Sequence, residues 1–116
     1  MTFAFDNTVY TVRLERGEHV VTNLLEFVRA QNIRGAWVYG LGGFAWAELG
    51  FYDLAAQDYT WQRFDELLEL TSLTGNIAWQ DDKPLLHAHV TVSDASFHAY
   101  GGHLKEAEVA GTVELH

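Results

Sequence analysis

The chain predicts an α+β domain in which one main helix packs on a curved, largely antiparallel sheet of about seven strands. Two observations carry this. Only the stretch from Glu18 to about Gln31 spaces its apolar residues as a helix does, with Val21, Leu24, Leu25 and Val28 on one face. The remainder is a succession of alternating segments, rich in β-branched and aromatic residues and separated by turn-forming pieces.

Taken in order, Val9-Tyr10-Thr11-Val12-Arg13-Leu14 alternates as a first strand, and Glu15-Arg16-Gly17 turns the chain into the helix. Glu18 near the helix start and Arg29 near its end match the macrodipole. Six further strands are expected at 35–39, 45–53, 59–63, 67–78, 85–93 and 107–115. Turns are expected at 40–43, 55–58, 80–84 and 99–103. Gly40-Leu41-Gly42-Gly43 has the look of a phosphate loop, but Phe44-Ala45-Trp46-Ala47-Glu48-Leu49 directly after it alternates like a strand. A helix N-terminus is therefore missing, and a tight glycine turn is the expectation.

A single proline and no Ser- or Gly-rich tract leave no linker, so residues 1–116 read as one domain. Apolar residues make up 48% of the chain, with four Trp, seven Phe and five Tyr, which predicts that some line a subunit interface. Seven basic against sixteen acidic residues give a net charge of −9. Binding to nucleic acid draws on Lys and Arg displacing counterions from phosphates, so this balance disfavours unaided DNA binding and anionic membranes alike. There is no cysteine for a disulfide or a thiolate metal site. The first residues lack a signal-peptide pattern and no segment is apolar enough to span a bilayer, so a cytoplasmic protein is expected.

The chemistry concentrates in His87-Ala88-His89 and, further along, Gly101-Gly102-His103-Leu104. Lys83 to Val92 alternates as a strand, so residues 87 and 89 share a face with Cα atoms roughly 6.5–7 Å apart. A third imidazole brought by a glycine-hinged loop would complete a facial set with nitrogens about 2.1 Å from one divalent ion, zinc above all. Three protein ligands leave a coordination position open, as a reactive or ligand-accepting site requires. His98 is an alternative fourth ligand, in a stretch that reads as an exposed hairpin. His19 and His116 are expected to face solvent. Glu69 is a candidate partner for a bound histidine or water, against the simpler reading of an outward strand carboxylate. Trp37, Trp46, Trp61 and Trp79 read as packing rather than a base-stacking platform, because only Trp61 has a basic neighbour, Arg63. A cupin also carries His-x-His and a later His, but it needs a glutamate where Val92 and Ser93 stand.

Ala47–Asp53, Tyr59, Glu69-Leu70-Thr71-Ser72-Leu73-Thr74-Gly75-Asn76-Ile77, Leu86–Val90 and Gly101–Leu104 stand in one order that resembles the plants-and-prokaryotes-conserved (PPC) domain. The resemblance runs from the first strand to Glu114. It implies an α+β homotrimer, and it maps the zinc-holding histidines of some bacterial members onto His87, His89 and His103. It also carries a DNA-binding association, which in plants comes with an AT-hook. No Arg-Gly-Arg-Pro-like hook occurs in this sequence, and Glu66–Thr71 keeps only a glutamate and an aliphatic position of the plant partner-binding segment. Three functions are open: a metal-binding regulatory or assembly module, a transcription-associated DNA binder, or a small metal-dependent hydrolase or lyase. The residues name no substrate.

Overall fold

The computed structural model describes residues 1–116. Seven strands and one helix run in the order β1 (Thr2–Phe5), β2 (Tyr10–Glu15), α1 (Val20–Ala30), β3 (Ala36–Asp53), β4 (Asp58–Phe64), β5 (Leu68–Gln80), β6 (Lys83–Ser93) and β7 (Ala99–Leu115). All strand pairs are antiparallel, in the order β1-β2-β7-β6-β5-β3-β4, with β3 also paired to β7. The predicted α+β class is what the structure shows. No helix is long and apolar enough to cross a membrane.

The additional β3–β7 pairing closes β3, β5, β6 and β7 into a ring. Two expected turns are absent. Residues 40–43 lie inside β3, which bends there without breaking and pairs with β5 on one side and β7 on the other. Residues 99–103 form the first part of β7, paired with β6 and, at His103, with β3. Glycine disfavours strands in isolation, but ladder pairing outweighs that preference, with two neighbours at Gly40 and Gly42 and with β6 alone at Gly101 and Gly102. The expected turn at 80–84 shrinks to Asp81-Asp82, both at positive φ (51° and 61°), the pattern of a two-residue type I′ hairpin. β1 has no counterpart among the expected strands, and it adds to β2 at the sheet edge.

The helix buries Val20, Leu24, Phe27 and Val28, one turn-spaced stripe, while Val21 and Leu25 lie at its flanks. These residues join a cluster of 22 buried apolar side chains that holds no polar or charged group. The helix starts at Val20 rather than Glu18, so Glu18 does not serve the dipole. Its carboxylate accepts the Glu15 amide at 2.7 Å and pairs with the Met1 ammonium at 3.1 Å.

The helix N-terminus has no side-chain cap of its own. Glu106 of β7 supplies one, accepting the Val21 and Thr22 amides at 2.8 and 3.1 Å and the Thr22 hydroxyl at 2.8 Å. A carboxylate on orphan amides at a helix start combines a charge-assisted hydrogen bond with a favourable dipole. Glu106→Ala is therefore expected to destabilise the fold by about 1–2 kcal/mol, read as a lower urea midpoint at unchanged slope. Unchanged stability would show that β7 does not anchor the helix in this way.

Candidate metal centre

Strand alternation sorts β6 into two faces. Ala88 and Val90 point into the core, and His87 and His89 point outward. Across the ladder, His103 on β7 stands in register with His89. The third imidazole thus comes from a paired strand and not, as the glycines suggested, from a loop. Ring centroids are 5.1 Å apart for His87–His89, 5.5 Å for His87–His103 and 5.9 Å for His89–His103.

One nitrogen from each of the three rings falls in a group whose members all lie within 4.8 Å of one another. Tetrahedral zinc at about 2.1 Å from each nitrogen needs separations of about 3.4 Å. Contraction of at most about 1.4 Å for any pair lies within reach of side-chain rotation on a partly exposed strand face. His103 provides a second indication. Its Nδ1 is buried and has no hydrogen-bond partner. Buried polar atoms are nearly always satisfied, so an orphan nitrogen among two other imidazoles fits a place for an ion.

The electrostatics point the same way. Burial pushes the His103 pKa below its ordinary value, and the nearby His87 and His89 push it further in that direction. Neutral imidazole is the metal-binding form. The same shift links metal-free stability to pH. Unfolded His103 takes up a proton more readily than folded His103, so this contribution is present above pH about 6.5 and lost as pH falls through the lowered folded value. In chelator, the unfolding midpoint is expected to drop on acidification, and less so in His103→Gln. Equal pH dependence in the two proteins would contradict the shift.

The other sequence candidates fall elsewhere. His98 sits exposed in the β6–β7 hairpin, with Nδ1 3.5 Å from the Asp94 carboxylate, and is not part of the cluster. Glu69 is exposed and in register with Ser93, five residues along β5 from Thr74, the residue opposite His89. That is about 17 Å at strand rise, so Glu69 serves neither histidine nor bound water. His19 pairs with Glu108 at 3.7 Å, and His116 Nδ1 lies 3.3 Å from the Thr11 hydroxyl. Trp46 donates to Glu108 at 3.0 Å under the Arg63 guanidinium, and Trp79 donates to the Ile33 carbonyl at 2.7 Å beneath Arg34. Their indole N–H bonds tie both rings to the fold, but each also carries a guanidinium, where the sequence led to a basic neighbour for Trp61 alone. Trp61 is different. With Tyr59 it lies beside His103, at ring separations of 6.0 and 5.1 Å. Tyr59-Thr60-Trp61 puts both rings on one face of β4, a signal the sequence carries without saying what they would meet.

Closed sheet and outward histidines together define a class: a small α+β domain presenting an open imidazole cluster on its surface. The chain belongs to the Plants and Prokaryotes Conserved (PCC) domain family, whose model matches residues 1–116. Among solved structures it is similar to a protein of Bacteroides thetaiotaomicron that is provisionally described as DNA-binding. That match has 27% identity and a TM-score of 0.95, covering 98% of this chain and 80% of the other. A plant- and prokaryote-conserved protein of Pyrococcus horikoshii matches with 30% identity and a TM-score of 0.89, over 98% of this chain and 78% of that one. A metal-containing protein of Archaeoglobus fulgidus matches with 32% identity and a TM-score of 0.86, over 99% and 82%. No protein of curated function matches the chain in sequence.

Proposed function

We propose that residues 1–116 act as one domain that holds a divalent metal ion, zinc in the first instance, through His87, His89 and His103, within a cytoplasmic homotrimer of regulatory or assembly role. The observation that carries the reading is the gathering of three imidazole nitrogens within 4.8 Å, one of them on the residue whose buried Nδ1 has no partner. Imidazole donors suit zinc and its late first-row neighbours, and the similarity to a metal-containing archaeal protein agrees. A bound ion would supply Lewis acidity at an oxygen donor in its open position. The cluster contains no carboxylate to act as a base beside it, so a hydrolase or lyase has less support than a binding role.

Assembly is supported by an exposed apolar stripe. Trp37, Tyr39 and Leu41 alternate onto one side of β3 and are 65%, 54% and 56% exposed. Three large apolar side chains in a row on a rigid strand favour a covered face. DNA binding, suggested by the description of the Bacteroides relative, is the second reading; the net charge of −9 opposes it.

Untagged protein offered zinc and then desalted is expected to retain about one ion per chain and to scatter light as a trimer. Less than about a tenth of an ion per chain would end the metal reading. A monomer would end the assembly reading. A salt-sensitive mobility shift of duplex DNA at low ionic strength would instead favour the second function.

A further inference from the structure

Beside the three histidines, the sheet surface is shaped in a way that metal binding alone does not require. Gly50 of β3 stands in register with Trp61 of β4 on one side and His103 of β7 on the other. A Cβ at Gly50 would lie 2.5 and 2.7 Å from Trp61 ring carbons and 3.0 Å from the Tyr59 ring. Lacking one, the two rings lie across the β3 backbone towards the histidines. They stack on each other at 4.7 Å with 20° between planes. Lys105, two residues beyond His103 on the same face of β7, holds its ammonium 4.8 Å from the Trp61 ring centre and 3.3 Å from Glu48. An ion pair this exposed is weak, so the lysine is free to exchange partners.

Each part has a chemical meaning. Three neutral imidazoles leave the charge of a divalent ion uncompensated, so the open position favours an anionic donor. A stacked Tyr–Trp pair favours a flat, weakly hydrated body. A lysine at its margin adds a second attraction for negative charge.

We propose that the open position of the histidine centre takes a small planar organic anion, an aromatic or conjugated carboxylate, whose flat body rests on the Tyr59–Trp61 shelf with Lys105 at its edge. This rests on the metal reading above and adds a ligand class to it. Without the shelf, the centre would take any small carboxylate that its charge attracts.

The test uses the whole chain loaded with Co²⁺, whose visible spectrum reports both loading and ligand entry. Benzoate and acetate are titrated in parallel, since they offer the same donor and differ in the body behind it. Benzoate is expected to bind about tenfold more tightly than acetate, with quenching of tryptophan fluorescence. In Trp61→Leu and Tyr59→Leu the ratio should fall to within about threefold, and Lys105→Gln should weaken both ligands together. Loading is read in each variant from its own cobalt spectrum. Equal affinities in the wild-type protein, or a tenfold preference that survives both ring substitutions, would overturn the proposal while leaving the metal centre standing. Failure of the wild-type protein to develop a cobalt spectrum would overturn the metal reading and this one with it.

Discussion

His89→Ala is expected to lower zinc affinity by at least about 100-fold, measured by competition with a chromophoric chelator near neutral pH. Residues that merely hydrogen-bond to a metal ligand already account for 10–100-fold, and a ligand is worth more. The position is well suited to the test. His89 stands opposite His103 and two residues from His87, so its loss leaves two imidazoles on opposite strands without the one that links them. It is exposed on the outer face of β6 and takes no part in the core, so the circular dichroism and chelator-treated melting temperature should stay close to wild type. His98→Ala is the matched control. That ring lies in the hairpin beside Asp94, outside the cluster, and its removal should leave affinity unchanged. Wild-type affinity in His89→Ala would dissolve the centre.

Gly42→Ala should give the largest loss of stability available from a single methyl group in this fold, about 3 kcal/mol or more, measured as a fall in urea midpoint. Gly42 has φ +151°, and an added Cβ would collide with the Thr112 carbonyl oxygen and lie 2.7 Å from the Val113 Cα. Those are backbone atoms of β7, which cannot swing aside as a side-chain tip can. Relief would require opening the β3–β7 ladder that closes the ring, and that ladder also carries the Gly50–His103 pairing. Gly111→Ala supplies the contrast. Nothing lies within 4 Å of its added Cβ, so a change within about 0.5 kcal/mol is expected. A loss at Gly42 below about 1 kcal/mol would show that the two strands do not approach so closely.

The candidate site is legible in the sequence to an unusual degree because its signals are local. Period-two alternation in Lys83–Val92 is enough to put His87 and His89 on one face, and the structure keeps them there. Gly101-Gly102-His103 marks the third histidine, but for a different reason from the one its glycines suggest. They read as a hinge, yet they are paired with Thr91 and Val90 in a regular ladder. Residues 40–43 mislead in the same way. In both places single-residue preference points to a turn, and strand pairing overrides it, on two sides at Gly40 and Gly42 and with β6 alone at Gly101 and Gly102. The helix start shows the same limit, since its cap, Glu106, lies 85 residues from Val21. Nothing near residue 20 announces it.

By itself, then, the sequence determined the α+β class, the outward face of β6 and which three histidines the fold gathers. The tertiary structure alone decided that β3 pairs on both sides, that His103 arrives on a strand, and that Tyr59 and Trp61 cross Gly50 to reach it. Alternation and residue chemistry act between neighbours in the chain and can be read from it. Ring closure depends on contacts between segments tens of residues apart, whose free energy exists only once the whole sheet has formed.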